Sequence, residues 1–135
     1  MSRALDDLAP VFRPIACEFS ARLTEADIPH KIISTGRTAA EQAQAVATGH
    51  SKVTHSKHQD GLAMDICPWD QFLVVGEDKL LWDTSSPQAA IAWKRVGLIA
   101  ESLGLRWGGR FKPLNAMGLG WDPGHVEYVA PLTDT

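Results

Sequence analysis

Two histidines and two aspartates, in two separate stretches of the chain, are the residues best suited to metal chemistry. His58 and Asp65 are the first and last residues of HQDGLAMD, and Asp122 and His125 are the first and last residues of DPGH. Two histidines and one carboxylate leave a fourth position for water on a tetrahedral zinc ion, as in catalytic zinc sites. A second carboxylate near the metal could accept a proton from that water. The pattern therefore predicts a zinc site of His58, Asp65 and His125, with Asp122 beside it.

A simpler interpretation of Asp65 is also open. The residue lies between Met64 and Ile66 in an apolar segment that is typical of a strand. A buried carboxylate there is costly unless it is paired or binds a metal. On an edge strand, however, the same carboxylate would face solvent and need no partner.

Hydrophobic periodicity and capping residues predict two helices in the first half of the chain. Apolar residues recur every three or four positions over residues 5–23, and this helix begins near Pro10 or Pro14, since proline suits a first turn. The second helix begins at a capping box, Thr38 to Glu41, and ends at Gly49. These helices would flank the segment that contains His58 and Asp65.

A third helix is predicted to begin at Ser86-Pro87 and end at Gly104. Its inner face would carry Trp93, Val96, Ala100 and Leu103. Strands are predicted at HKIIST, LAMDI, FLVV, LLW, RWGGRF and HVEYV, with GEDK as a hairpin turn. Helices and strands mix without a βαβ repeat, so we expect an α+β fold with a small antiparallel sheet flanked by about three helices.

Composition narrows the function further. The chain has 135 residues, which suits a single domain over residues 1–135, and a net charge of −3 without a basic block, which argues against nucleic-acid binding. No segment has the length of a membrane helix, so no membrane insertion is expected. Acidic residues interrupt the N-terminal segment MSRALDDLAPVF, which predicts no secretory signal and a cytoplasmic product. Cys17 and Cys67 form no CxxC pair and are expected to be reduced.

Two motifs in the chain resemble those of a known enzyme family. SKHQDGLAMD matches S-x-H-x-x-G-x-A-x-D, and DPGHVE matches D-x-x-H-x-E. These paired motifs are similar to those of the zinc peptidases that include VanY-type D-Ala-D-Ala carboxypeptidases and bacteriophage L-alanyl-D-glutamate endolysins. STGRTAAEQ looks like the arginine segment of that family, and LGLRWGGRFK resembles its Trp-Gly-Gly stretch.

The resemblance implies a hedgehog/D-Ala-D-Ala-peptidase-like fold and a role for each matched residue. Zinc would be the cofactor, with His58, Asp65 and His125 as its ligands. Asp122 would be the catalytic base, although many members of the family have the longer Glu at this position. Arg37 would contact the substrate and stabilise developing negative charge, and Ser56 would hydrogen-bond the substrate.

From this resemblance we expect a zinc peptidase that cleaves peptidoglycan stem peptides. The motifs are most similar to those of the L-alanyl-D-glutamate endopeptidases of phage and prophage, which would be released to the cell wall through a holin. The alternative within the family is a D-alanyl-D-alanine carboxypeptidase. We expect a monomer, with the stem peptide as its partner.

Two more remote alternatives use the same residues. Non-haem iron oxygenases also bind their metal with two histidines and a carboxylate. They usually place the carboxylate two residues after the first histidine, in a jelly roll, whereas here the separation is seven residues. A catalytically inert zinc-binding module would be expected to have lost a ligand or the base.

The remaining conspicuous residues have ordinary interpretations beside functional ones. Glu127 shares a strand face with His125, so it could orient this ligand or be a surface carboxylate. Trp107 could form the floor of a cleft or belong to the core, Trp93 is expected in the core, and Asp60 in a turn. His30 and His50 are expected at the surface, and His55 in a loop that could line the cleft.

Overall fold

The computed structural model of the chain describes residues 2–36, 39–49, 57–69 and 80–130. Within these residues the chain forms three α-helices, four strands and two short 3-10 turns. In chain order the helices and strands are α1 (Arg13–Glu25), β1 (His30–Ser34), α2 (Ala39–Ala47), β2 (Ala63–Pro68), α3 (Pro87–Ser102), β3 (Arg106–Trp107) and β4 (His125–Glu127). The predicted α+β class is confirmed.

The strands form one antiparallel sheet in the order β1-β2-β4-β3. Strand β2 is therefore central, with β1 on one side and β4 on the other. This position explains why β2 is apolar at nearly every residue, since both of its faces are covered. The register of β2 and β4 pairs Asp65 with His125, across sixty residues of sequence.

The hydrophobic core lies between the sheet and the two longer helices. Helix α1 buries Ala16, Phe19 and Leu23, which is one apolar face at helical spacing. Its second residue is Pro14, so the predicted start near a proline is confirmed. Helix α3 begins after Ser86, whose hydroxyl accepts a hydrogen bond from the amide of Ala89.

The predicted inner face of α3 is confirmed for its three most buried members. Trp93, Val96 and Ala100 are each at most 1% exposed, whereas Leu103 follows the last helical residue and is half-buried. The Trp93 indole donates to the carbonyl of Asp83, which ties the start of α3 to the preceding loop. Both cysteines are free, Cys17 exposed and Cys67 buried, as expected.

The predicted strand at RWGGRF is only partly correct. Pairing with β4 stops after Trp107, and the chain continues as a 3-10 turn over Gly108–Arg110. A side chain on Gly108 would collide with the carbonyl of Asp122, and one on Gly109 with the Trp107 ring. Because these two positions have no side chains, the turn packs directly against the backbone before β4. An extended strand with larger side chains could not approach that backbone so closely.

Some predicted elements are shorter than expected or lie outside the described residues. HVEYV pairs only over His125–Glu127, and LLW contributes only the bridge of Leu80 with Trp69. The FLVV strand, the GEDK turn and the capping threonine Thr38 lie outside the described residues. Of the described helices, none is long and apolar enough to cross a membrane.

Candidate metal centre

The central strands bring two of the predicted ligands together. Asp65 and His125 are directly paired across β2 and β4, so their side chains project from the same face of the sheet. His58 lies in the turn before β2, which reverses at Gly61 with φ 70°. A side chain on Gly61 would lie 2.7 Å from the amide nitrogen of Ala9, so glycine is required there for space as well as for conformation.

The donor atoms of these residues converge on one point. His58 Nε2 lies 3.3 Å from Asp65 Oδ2, and His125 Nδ1 lies 3.4 Å from Asp65 Oδ1. The two ring nitrogens are 3.3 Å apart. Ligand atoms at about 2.0–2.1 Å from a tetrahedral zinc ion are separated by roughly 3.3–3.4 Å. The separation of the two ring nitrogens matches this value, as does that of each nitrogen from one Asp65 oxygen. One ligand atom from each residue lies within 4.8 Å of the others, so the group could hold a metal ion.

The histidines of the cluster are buried, which is unusual for polar side chains. His58 is 4% exposed and His125 is 8% exposed. Among the described residues, Asp65 Oδ1 is buried and has no hydrogen-bond partner. A buried acceptor left without a hydrogen bond costs about 1–3 kcal/mol, and more when it is charged, so this arrangement favours a bound cation.

The pKa shifts within the cluster also favour a bound cation. Burial disfavours the charged form of Asp65, but contacts with His125 and His58 outweigh burial and hold the pKa of Asp65 well below its usual range. Burial also disfavours protonated His125, yet the carboxylates of Asp65 and Glu127 outweigh it and raise the pKa of His125 to about 9. The pocket thus favours positive charge, and a ligated metal would take the place of that proton.

Glu127 supports His125 from the side away from the other ligands. Its Oε1 lies 2.8 Å from His125 Nε2, which leaves Nδ1 directed at the cluster. Its other oxygen pairs with Lys57 Nζ at 2.8 Å, and Lys57 also donates to the carbonyl of Tyr128. Burial opposes the charge of Glu127, but His125 and Lys57 lower its pKa to about 2. The structure therefore agrees with the interpretation of Glu127 as a carboxylate that orients His125, and not as a surface carboxylate.

Asp122 lies next to the cluster, at the entrance to β4. Its Oδ2 is 3.8 Å from His125 Nδ1, and its side chain is 38% exposed. The turn that follows is closed by a hydrogen bond from the amide of His125 to the carbonyl of Asp122. Asp122 is thus near the three converging donors but remains accessible from solvent.

The other residues singled out in the sequence lie in varied places. Arg37 and Ser56 lie outside the described residues, as do His50 and His55. His30 is half-buried and contacts Ser20 Oγ at 2.7 Å, so it is less exposed than expected. Trp107 is 3% exposed and donates to the carbonyl of Pro123, which places it in the core.

Sequence reasoning missed the lysine and the tryptophans around the cluster. Lys57 directly precedes a predicted ligand, so a search for the partner of Glu127 could have found it. Trp82 and Trp121 line a cavity of about 300 Å³ that also includes Asp65 and Asp122. Trp121 precedes the predicted base in sequence, whereas nothing in the local pattern distinguishes Trp82.

Comparisons with known proteins identify a family and a shared fold. A family model described as D-alanyl-D-alanine carboxypeptidase matches residues 49–128. The L-Ala D-Glu endopeptidase ChiX of Serratia marcescens has a similar structure, with a TM-score of 0.62 and 23% identity over 93% of this chain and 83% of ChiX.

Two further solved structures are similar as well. VanYB in complex with D-alanine-D-alanine has a TM-score of 0.58 and 16% identity over 91% of this chain and 72% of its own. A VanY D,D-pentapeptidase mutant in complex with Zn(II) has a TM-score of 0.57 and 16% identity over 91% of this chain and 73% of its own. At these identities the similarity shows a shared fold. No match was found among curated proteins.

Proposed function

The chain belongs to the D-alanyl-D-alanine carboxypeptidase family and is a metallopeptidase that acts on peptidoglycan. From this premise we propose that it hydrolyses stem peptides at a zinc ion held by His58, Asp65 and His125. The observation that carries the proposal is the convergence of three donor groups at separations of 3.3–3.4 Å. Zinc bound there would activate a water molecule and polarise the scissile carbonyl.

The protein side chains have separate tasks in this mechanism. Asp122 accepts the proton of the attacking water, for which its position near His125 and its partial exposure are suited. Glu127 holds the His125 ring so that Nδ1 faces the cluster. Asp122 is one methylene shorter than the Glu common in the family, and its backbone lies close to the ligand strand, since its carbonyl accepts from the amide of His125.

Two further residues are assigned from the motif resemblance. Arg37 contacts the substrate and stabilises negative charge on the scissile carbonyl, a task that suits a guanidinium group. Its chain neighbour Gly36 lies close to the ligand segment, because a Cβ on Gly36 would be 3.6 Å from the carbonyl of His58. Ser56 hydrogen-bonds the substrate beside the same ligand.

The base assignment is tested with Asp122→Asn, which keeps the size of the side chain. We expect kcat on purified muropeptides to fall about 10²–10⁴-fold at equal zinc occupancy, because proton transfer is lost while the metal stays bound. Asp27→Asn is the matched control, since Asp27 is exposed and has φ 59°, a conformation that Asn tolerates. Comparable rates for Asp122→Asn and wild type would rule out the base assignment.

For the bond that is cut, we favour the one between L-Ala and D-Glu. The motif resemblance supports this choice, and so does the similar fold of ChiX, an L-Ala D-Glu endopeptidase. The alternative is removal of a terminal D-Ala, which is supported by the description of the matching family. Mass spectrometry of digested peptidoglycan distinguishes them. The first yields L-Ala-terminated glycan and D-Glu-led peptides, and the second releases free D-Ala.

The endolysin role is part of the same proposal. On the motif resemblance, the chain acts as a monomeric single domain that is made in the cytoplasm and reaches the wall through a holin. Expression in a bacterial host with and without a co-expressed holin tests this role. Lysis that depends on the holin supports the proposal, and lysis at the same rate without the holin contradicts it.

A further inference from the structure

Two exposed tryptophans flank the candidate metal centre. Trp82 is 58% exposed and Trp121 is 46% exposed, and both line the cavity of about 300 Å³ that contains Asp65 and Asp122. Indole rings bury more apolar area than almost any other side chain when they are covered. Two half-exposed rings beside a candidate catalytic centre therefore indicate a surface that a ligand covers.

The cavity continues away from the metal centre. A second cavity of about 260 Å³ shares Thr84, Trp121 and Pro123 with the first and extends to Leu114, which is itself 49% exposed. We call the two adjoining cavities the aromatic groove. Because the second cavity adjoins the first at Trp121, an extended ligand could occupy both with only one end at the candidate metal centre.

The charges along the aromatic groove restrict that ligand. Among the described residues that line it, the charged ones are Asp65 and Asp122, both at the metal end. A divalent cation would offset these two carboxylates, and no described basic residue lines the remainder. Over the residues that the structure describes, the groove is therefore suited to an uncharged ligand.

The Trp121 ring is supported from behind. Its centroid lies 5.6 Å from that of Phe111, and the Phe111 ring lies 5.6 Å from that of His125. Arg106 is stacked on Phe111 at 4.7 Å from the ring centroid. This packing holds Trp121 in place before a ligand arrives, which reduces the entropy cost of binding.

We propose that the aromatic groove binds the N-acetylated sugar to which the stem peptide is attached, with Trp121 stacked on the apolar face of the sugar ring. The inference rests on the proposed function, since it takes the L-Ala–D-Glu bond as the bond that is cut. On one side of that bond the substrate continues into D-Glu, an acid, and on the other into an uncharged sugar. The neutral groove matches the sugar side.

A pair of substrates tests this assignment. One is a stem peptide attached to its disaccharide, and the other is the same peptide with an acetyl cap in place of the sugars. We expect Trp121→Ala to lower kcat/KM about tenfold for the disaccharide substrate and less than twofold for the capped peptide. Trp121→Phe should retain most of the activity on both, and Leu98→Ala, on the exposed face of α3, is the remote control.

Equal losses on the two substrates, or none on either, would overturn the sugar assignment. Binding of the free disaccharide without a peptide is measured in parallel from the indole N–H signals in ¹H-¹⁵N NMR spectra. The signals of Trp82 and Trp121, assigned from Trp→Phe variants, should shift, and unchanged signals would overturn the inference. If zinc-loaded wild type cleaves neither substrate, the proposed function fails, while the disaccharide titration still decides whether the groove binds sugar.

Discussion

The candidate metal centre and the core beneath α1 and α3 both hold buried side chains, but of opposite kinds. The core holds Phe19, Leu23 and Trp93, which are almost fully buried and gain stability from that burial. The metal centre holds His58 and His125, which are less than a tenth exposed and surround a carboxylate. Burying these polar groups costs stability unless they are paired, hydrogen-bonded or bound to a metal. The helices thus stabilise the fold, and the β2–β4 pair holds the polar candidate site at a cost to that stability.

The largest effect is expected from Asp65→Asn, which keeps the shape of the side chain but removes the charge shared by both histidines. Zinc should fall well below one ion per chain, and muropeptide cleavage should become undetectable, because a neutral amide is a poor zinc ligand. Elemental analysis of protein purified without added metal measures the zinc content, and chromatography of the digests measures muropeptide cleavage.

The control for this variant is again Asp27→Asn, which should retain both zinc and activity. Stoichiometric zinc and normal cleavage in Asp65→Asn would contradict the ligand assignment. Stoichiometric iron in the wild type, with turnover of 2-oxoglutarate, would contradict the choice of zinc.

The next effect concerns the core and should be confined to stability. Leu23→Ala is expected to lower the free energy of unfolding by about 2–5 kcal/mol, since it leaves a cavity in a fully buried position of α1. Urea denaturation measures the loss, with the exposed Leu98→Ala as the matched control. Zinc stoichiometry should be unchanged while the variant is folded. Loss of zinc from folded Leu23→Ala would show that core and site are not separable.

A smaller effect is expected where the site depends on its own support. Glu127→Gln keeps the size of the side chain but removes the charge that pairs with Lys57. Zinc affinity, measured by competition with a chromophoric chelator, should weaken about 10–100-fold because the His125 ring is held less firmly. Glu101→Gln, at an exposed pair with Arg110, should leave affinity unchanged. An unchanged affinity in Glu127→Gln would mean that this carboxylate is only structural.

The smallest effect is expected at the start of α3. Ser86→Ala removes the hydroxyl that accepts from the amide of Ala89 and should lower the free energy of unfolding by about 1 kcal/mol. Zinc affinity should not change, because the cap contacts none of the donor atoms. Ser102→Ala, at the other end of the helix, should change the free energy of unfolding by less than about 0.5 kcal/mol. Equal losses in the two variants would argue against the cap.

The helices and the site motifs were predictable because their signals are local. The proline in the first turn of α1, the serine before α3 and the inner face of Trp93, Val96 and Ala100 all follow from contacts within a few residues. The strands were less predictable. RWGGRF has the composition of a strand, but close packing of Gly108 against the backbone of Asp122 ends the pairing after two residues.

By itself, the sequence determined which chemistry could be proposed, because two histidines and two carboxylates in recognisable motifs restrict the candidate metal and reaction. Only the tertiary structure decided how those groups meet. The β2–β4 register sets Asp65 opposite His125, and the reversal at Gly61 brings His58 to the same point. The support of Glu127 by Lys57 and the aromatic groove were likewise decided by packing. They join residues far apart in sequence, whose proximity no local pattern can encode.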